Sequence, residues 1–280
     1  MNVGFCALCQ KEKNLCRSHL IPKGLYKYVE NDDKEGILRF YNGKATKPPG
    51  KGHITTPLLC KECEDHFSRA EKLVISEARQ SAEKFPLREK LAKTEHRHPI
   101  NNSSDDFFVF PDECLDINWN MYTFFALSVF WRFSVNKNFP FDESYYNSFG
   151  PYQEEIRKIL LANNKLSLPD HMYLCIQVNR SDATPEIELT APSVKNYSGY
   201  DVFQFLIPDT LFTLYVGMNI NQSVLKLKKR YGSYSILVFN IAKTQYGINL
   251  REHVEKSFHE HDREYFTKRG ARPLALSKIT

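Results

Sequence analysis

Apolar residues in the first sixty positions come in short runs between polar, turn-forming stretches. Residues 15–21 read as a short extended segment, closed by the turn formers Pro22-Lys23-Gly24. Residues 30–57 are polar and rich in Gly and Pro. Asn42-Gly43 and Lys47-Pro48-Pro49-Gly50 mark loop chemistry, with room for a short hairpin around 37–41. Leu58-Leu59-Cys60 is the next apolar run. From 64 to 89 the spacing changes: Phe67, Ala70, Val74 and Ala78 recur at three and four, which predicts a helix that Pro86 ends or kinks. Residues 92–106 turn polar again, with Pro99 and Asn101-Asn102-Ser103-Ser104, and read as a linker.

Beyond this point the pattern is denser. Residues 107–110 predict a strand. Residues 118–135 carry Trp119, Tyr122, Phe125, Ala126, Val129, Phe130 and Phe133, apolar almost all round, as in a helix deep in a core. Residues 152–162 predict a second helix. Strands are expected at 172–178, 187–189, 202–207, 211–217 and 235–241, and a long charged helix at 249–269. The aromatics Phe203, Phe205, Phe212 and Tyr215 lie at strand spacing, which fits a core better than a base-stacking surface. The fold class is therefore α+β. It comprises an N-terminal domain over 1–91 and a mixed α/β domain with a mainly antiparallel sheet over 105–280.

Composition narrows the function classes. With 42% hydrophobic and 13% aromatic residues in 280, the chain is globular rather than disordered. The apolar stretch 124–130 is far too short to span a bilayer, and the N-terminus lacks a basic segment followed by an apolar one. A cytoplasmic protein with no membrane contact is expected. The net charge of +5 is unevenly spread: residues 1–100 hold 19 Lys+Arg against 13 Asp+Glu. The excess positive charge sits in the N-terminal third, as a phosphate-binding surface would require. The Lys226-x-Lys228-Lys229-Arg230 run could touch phosphates or form a solvated turn before a strand.

That same third carries the distinctive chemistry. Four of the seven cysteines form two Cys-x-x-Cys pairs, Cys6/Cys9 and Cys60/Cys63. Two such pairs supply the four thiolates of a tetrahedral structural zinc site. Cys16 is a competing ligand, and with His19 it could complete a set of three cysteines and one histidine. Cys114 and Cys175 sit in apolar surroundings and read as core residues. Between the pairs lies His19, in Arg17-Ser18-His19-Leu20-Ile21-Pro22. A neutral imidazole there could deprotonate water. A hard cation on a phosphate would need oxygen or imidazole ligands nearby. Glu64, Asp65 and His66 follow Cys63 directly. Glu64 could equally complement the helix dipole, and His66 could pack or face solvent.

Taken together, Cys6-x-x-Cys9, Ser18-His19-Leu20-Ile21-Pro22 and Leu58-Leu59-Cys60-x-x-Cys63-Glu64 resemble the zinc-containing HNH (ββα-metal) endonucleases. The resemblance covers residues 6 to about 75, and the variant also resembles HNH proteins of bacterial anti-phage systems. It implies that His19 is the general base and that Cys6, Cys9, Cys60 and Cys63 hold a structural Zn2+. It also implies a catalytic Mg2+ or Mn2+ near Glu64 and His66. Ser18 stands where the family has a metal-binding Asp, Glu64 where it has a His, and Thr55 where it has a bracing Asn.

The function expected is thus a metal-dependent endonuclease hydrolysing phosphodiester bonds of double-stranded DNA, with His19 and Glu64 as catalytic residues. An activating partner protein and a homodimer that cuts both strands are further expectations. The alternative is a non-catalytic zinc module that binds nucleic acid or a partner protein.

Overall fold

The structure, a computed structural model, describes residues 2–28, 39–41, 44–46, 53–81, 84–95, 97–100, 103–137, 145–162, 166–180, 189–220, 222–231 and 234–239. The chain forms two compact units: residues 1–29 with 53–241, and residues 30–52 with 242–280. In the second unit the described residues are a hairpin, β3 (Arg39–Tyr41) paired antiparallel with β4 (Lys44–Thr46). The charged helix expected at 249–269 lies outside the described residues.

The first unit is α+β. A three-stranded antiparallel sheet has the order β1 (Val3–Phe5), β2 (Glu12–His19), β5 (Thr55–Cys60). Helix α2 (Lys61–Glu77) continues straight from β5, and the short helix α1 (Lys23–Tyr26) follows β2. Pro22-Lys23-Gly24, expected as a turn, thus opens a helical turn. Gly24 lets α1 approach α2 closely: an added Cβ would meet Cδ1 of Ile75 at 2.9 Å, and that side chain would have to shift. The helix expected over 64–89 is two helices. The chain is extended at Ala78, and Pro86 starts α3 (Pro86–Lys93) instead of ending a helix. Proline at the first helical position loses no hydrogen bond.

A seven-stranded sheet forms the other layer. Its order is β6 (His98–Ile100), β7 (Ser103–Val109), β12 (Tyr234–Phe239), β8 (Met172–Asn179), β11 (Thr210–Val216), β10 (Tyr200–Ile207), β9 (Ser193–Tyr197). All neighbours are antiparallel except the parallel pair β12 and β8. The polar segment 92–106 is therefore not a bare linker: it carries β6 and the start of β7 within the first unit. Edge position explains the difference, since a strand paired on one side and solvated on the other tolerates polar residues. The polar edge strand β9 leaves no sequence signal for the same reason. The strand expected at 187–189 falls largely outside the described residues, and Leu189 is not in a strand. The basic run at 226–230 lies on α6 (Gln222–Tyr231), not on a turn. Its Lys228 donates to the carbonyls of Pro169, Asp170 and Met172.

Helix α4 (Trp119–Ser134) is the centre of the unit. Asn118 caps it, its side chain accepting from the Met121 N–H at 3.2 Å. One side packs on the seven-stranded sheet, Phe125 against Phe205 and Phe212, and Phe130 against Phe203 and Phe205. The other side meets α2, where Phe67 packs edge-on against Phe124 and Trp131. That sandwich explains a helix apolar all round. The helix expected at 152–162 is α5 (Gln153–Leu161). The aromatics at strand spacing, Phe203, Phe205 and Phe212, are core. No helix among the described residues is long and apolar enough to cross a membrane.

Two charges lie where α2 meets α4: Glu77, which accepts from the Tyr122 hydroxyl at 2.9 Å, and Arg132. Arg132 of α4 is 1% exposed. Its Nη1 donates to the His19 carbonyl at 2.7 Å and its Nε to the Ser128 carbonyl at 3.2 Å. Its Nη2 pairs with Glu71 Oε1 of α2 at 2.7 Å. Replacing one member of a buried pair strands the other. Arg132→Leu is expected to lower stability by about 3–5 kcal/mol in urea denaturation. The double variant Arg132→Leu/Glu71→Leu should recover a substantial part of it.

Candidate active site and metal centre

The two Cys-x-x-Cys pairs meet because of strand pairing. In the first, the chain folds back on itself. The Cys6 N–H donates to the Lys11 carbonyl at 3.0 Å and the Gln10 N–H to the Cys6 carbonyl at 2.8 Å, with Gln10 in the left-handed region at φ 59°. The second pair spans the junction of β5 and α2, with Cys60 as the N-cap and Cys63 in the first turn. Leu15 opposite Cys60 sets the register, and the Ala7 N–H donates to the Leu58 carbonyl at 3.0 Å.

The four sulfurs of Cys6, Cys9, Cys60 and Cys63 all lie within 4.8 Å of one another. Cys9 Sγ and Cys60 Sγ are 3.9 Å apart, near the roughly 3.8 Å edge of a tetrahedron with zinc–sulfur bonds of about 2.3 Å. The Cys60 N–H points at Cys6 Sγ at 3.3 Å, the bond that stabilises a metal-bound thiolate. All seven cysteines are free thiols.

Burial pushes the Cys60 thiol up to about 11 and lifts Cys63 higher still, with neighbouring sulfurs adding to the rise at Cys63. At Cys9 burial also acts upward, but the Lys11 N–H and the Cys6, Cys63 and Cys60 thiols bring it below its usual value. Several thiolates cannot sit side by side without a cation, and a central dication reverses that balance. The donor set therefore fits a metal ion such as zinc. Cys16 and His19 lie outside this cluster.

His19 ends β2, opposite Thr55 of β5. Its ring is half-buried and meets the ring of His53 in a T-shape, centroids 5.5 Å apart. His53 in turn stacks on Tyr26 at 4.1 Å. Burial first, then the neighbouring His53 ring and the cations Lys23, Arg132 and Arg17, pull the His19 imidazole down to about 4. It is neutral at pH 7. Its backbone is held by the Arg132 bond described above.

Beside it, Ser18 is fully buried. Its Oγ accepts from the Leu59 N–H at 3.1 Å, and its hydroxyl acts on the nearby Glu64 carboxyl. Burial raises the Glu64 carboxyl, while the Ser18 bond and Arg132 partly offset that rise. Glu64 Oε1 is buried with no hydrogen-bond partner.

The other expected cation ligands point elsewhere. His66 Nε2 lies 2.8 Å from the Leu160 carbonyl of α5, and its ring packs edge-on against Phe124 at 5.0 Å. Positions 64 and 66 are about 200° apart on a helix, so α2 cannot present both to one ion. Asp65 pairs with Lys61 in solvent, and Glu71 with Arg132. Among the described residues no second group of three or more His, Cys, Asp or Glu ligand atoms converges. Glu64, with its unpartnered oxygen, fits a single ligand of a hard cation; His66 does not fit.

Two residues of the site escape sequence reading. Arg132 carries a signal, as the one basic residue in a helix apolar on every side. His53 has a weaker one, an aromatic polar residue just where the Gly/Pro-rich loop re-enters a strand. No family model matches the chain, and neither a curated protein nor a solved structure matches it.

The unfolded chain protonates His19 near 6.5 and the folded chain near 4, so the unfolded state binds more protons between those values. Stability from this group is present above pH 6.5 and is lost as pH falls towards 4. In urea titrations at stepped pH, the wild-type midpoint should fall more steeply across that window than the midpoint of His19→Gln.

Proposed function

We propose that this protein is an endonuclease that hydrolyses phosphodiester bonds of DNA, with His19 as general base and a structural zinc on the four cysteines. The observation that carries the reading is the neutral, half-buried His19 at the end of β2. The four-cysteine cluster fastens that strand pair to α2. A neutral imidazole accepts the proton of a water molecule as the water oxygen attacks phosphorus and the ester oxygen leaves. Arg132 holds the backbone of His19 so that its ring keeps its place. Glu64 is the one carboxylate suited to a Mg2+ or Mn2+ ion, completed by water and substrate oxygens. Such an ion would supply charge neutralisation at the phosphate. The surplus of Lys and Arg in the N-terminal third supports a polyanionic substrate. A role in anti-phage defence agrees with the family resemblance.

A second reading has its own support. Ser18 in place of a carboxylate and His66 committed to Leu160 leave one ligand where two are expected. That favours a zinc module that binds nucleic acid or a protein without cutting it.

Supercoiled plasmid with Mg2+ or Mn2+ separates them. The wild type should convert it to nicked and linear forms, and His19→Ala should slow conversion by about 10²- to 10⁴-fold with zinc content unchanged. Binding without cutting under either metal would support the module. A His19→Ala variant that loses zinc would make His19 a ligand. Metal analysis should find one zinc per chain, and Cys60→Ser should lose it together with the cooperative thermal transition, because binding energy in such sites is folding energy.

A further inference from the structure

No motif marks His53, yet the fold builds this second imidazole into the site. Register explains how. His19 faces Thr55 across β2 and β5, and the Leu20 N–H donates to the Ile54 carbonyl at 3.0 Å. Continuing that register puts His53 diagonal to His19, where side chains two positions apart share a face. The rings meet with centroids 5.5 Å apart and planes at 61°. His53 is fixed on its other side by Tyr26, stacked at 4.1 Å, and Tyr26 is pinned because its hydroxyl accepts the Ile54 N–H at 3.3 Å.

Arg17 shares that face of β2, two residues before His19, and its Nη2 donates to Thr55 Oγ1 at 2.9 Å. Lys23 is exposed at the start of α1. The cations that act on His19 are Lys23, Arg132 and Arg17. Such a field opposes a metal dication at the two imidazoles and favours an anion. The pair is also too close to flank a phosphorus. In-line displacement puts attacking and leaving oxygens on opposite sides of phosphorus, whereas rings 5.5 Å apart meet one side of a phosphate.

We infer that His53, Arg17 and Lys23 form an oxyanion subsite beside His19 that grips a nucleic-acid phosphate and sets it against the base. His53 is a binding residue here, not a proton donor to the leaving group. The Thr55 hydroxyl holds Arg17 to the face where the phosphate sits. This subsite deepens the endonuclease reading, but as a binding site it stands whether or not the bond is cut.

The test uses the full chain and two probes: inorganic phosphate and a short DNA duplex. On phosphate titration, the imidazole NMR signals of His19 and His53 should shift together with one saturation curve. His53→Gln should weaken duplex affinity by about tenfold, the usual scale for losing a hydrogen bond to a charged group. Zinc content and melting temperature should not change. Arg17→Gln should weaken the duplex comparably and lower the slope of log affinity against log salt by about one. If the wild type nicks plasmid, His53→Gln should raise KM and largely spare kcat, whereas His19→Ala should lower kcat.

Phosphate that moves neither ring would overturn the inference, as would folded, zinc-loaded His53→Gln binding duplex as tightly as wild type. Normal cutting in that case would leave the endonuclease reading standing. Duplex affinity that depends on His53 in a wild type that never cuts would sustain the subsite and remove the nuclease.

Discussion

A single guanidinium, that of Arg132, orients the parts of this molecule that bear on chemistry. It lies between the helix that fills the core and the helix that follows the second cysteine pair, and its donors reach both helices and the end of β2. Burying a charge there is costly, and an apolar residue of similar size would serve packing as well or better. Its value lies in direction. Nη1 fixes one backbone carbonyl, that of His19, while Nη2 holds Glu71 and the plane lies over the Phe67 ring, 5.4 Å from its centroid. Planar, forked and always charged, arginine can meet three partners at once in a way lysine cannot. The core therefore reaches the surface site through one residue, and the histidine is positioned by the same contact that joins the helices.

The cysteine cluster answers a different constraint. The chain leaves β2 at His19 and returns to β5 at Thr55. Closing so long a connection costs chain entropy. Pairing of β2 with β5 must recover that cost from a sheet of only three short strands. Four sulfurs within 4.8 Å tie the two ends of the connection together from the far side of the hairpin. With a metal bound, a marginal sheet becomes a fixed platform, and the platform carries both His19 and the entry into α2.

How much of this is legible in the sequence follows from where each signal lives. The cysteine pairs are readable because a ligand set has a spacing. Helix α4 is readable because its apolar positions cover every face, and β8, β10 and β11 because they are buried runs of β-branched and aromatic residues. The break between α2 and α3 is not. Pro86 is compatible with both the end of one helix and the start of another, and only packing decides. The edge strands β6 and β9 are hidden by their polarity. His66 illustrates a finer failure. Proximity in sequence to Cys63 makes it a plausible ligand, but helical geometry turns it towards α5 while Glu64 turns towards Ser18. Arg132 and His53 are hidden because their roles come from contacts between elements far apart in the chain.

The electrostatics of the site divide along the same line. On the side of α2, Glu71 is committed to Arg132, and the Ser18 hydroxyl offsets part of the rise that burial gives the Glu64 carboxyl. On the side of β2 and α1, the charges around His19 are positive. Had Ser18 been a carboxylate, it would sit fully buried beside Glu64, and like charges in that setting force one of the pair to stay protonated. Serine avoids the conflict. It keeps the hydrogen bond to the Leu59 N–H that seats β5 and adds no charge. The cost is one fewer anionic ligand for a metal. Burial and the flanking cations then keep the His19 imidazole neutral. Under the proposed function, positive charge would draw in the anion and the uncharged imidazole would act on it.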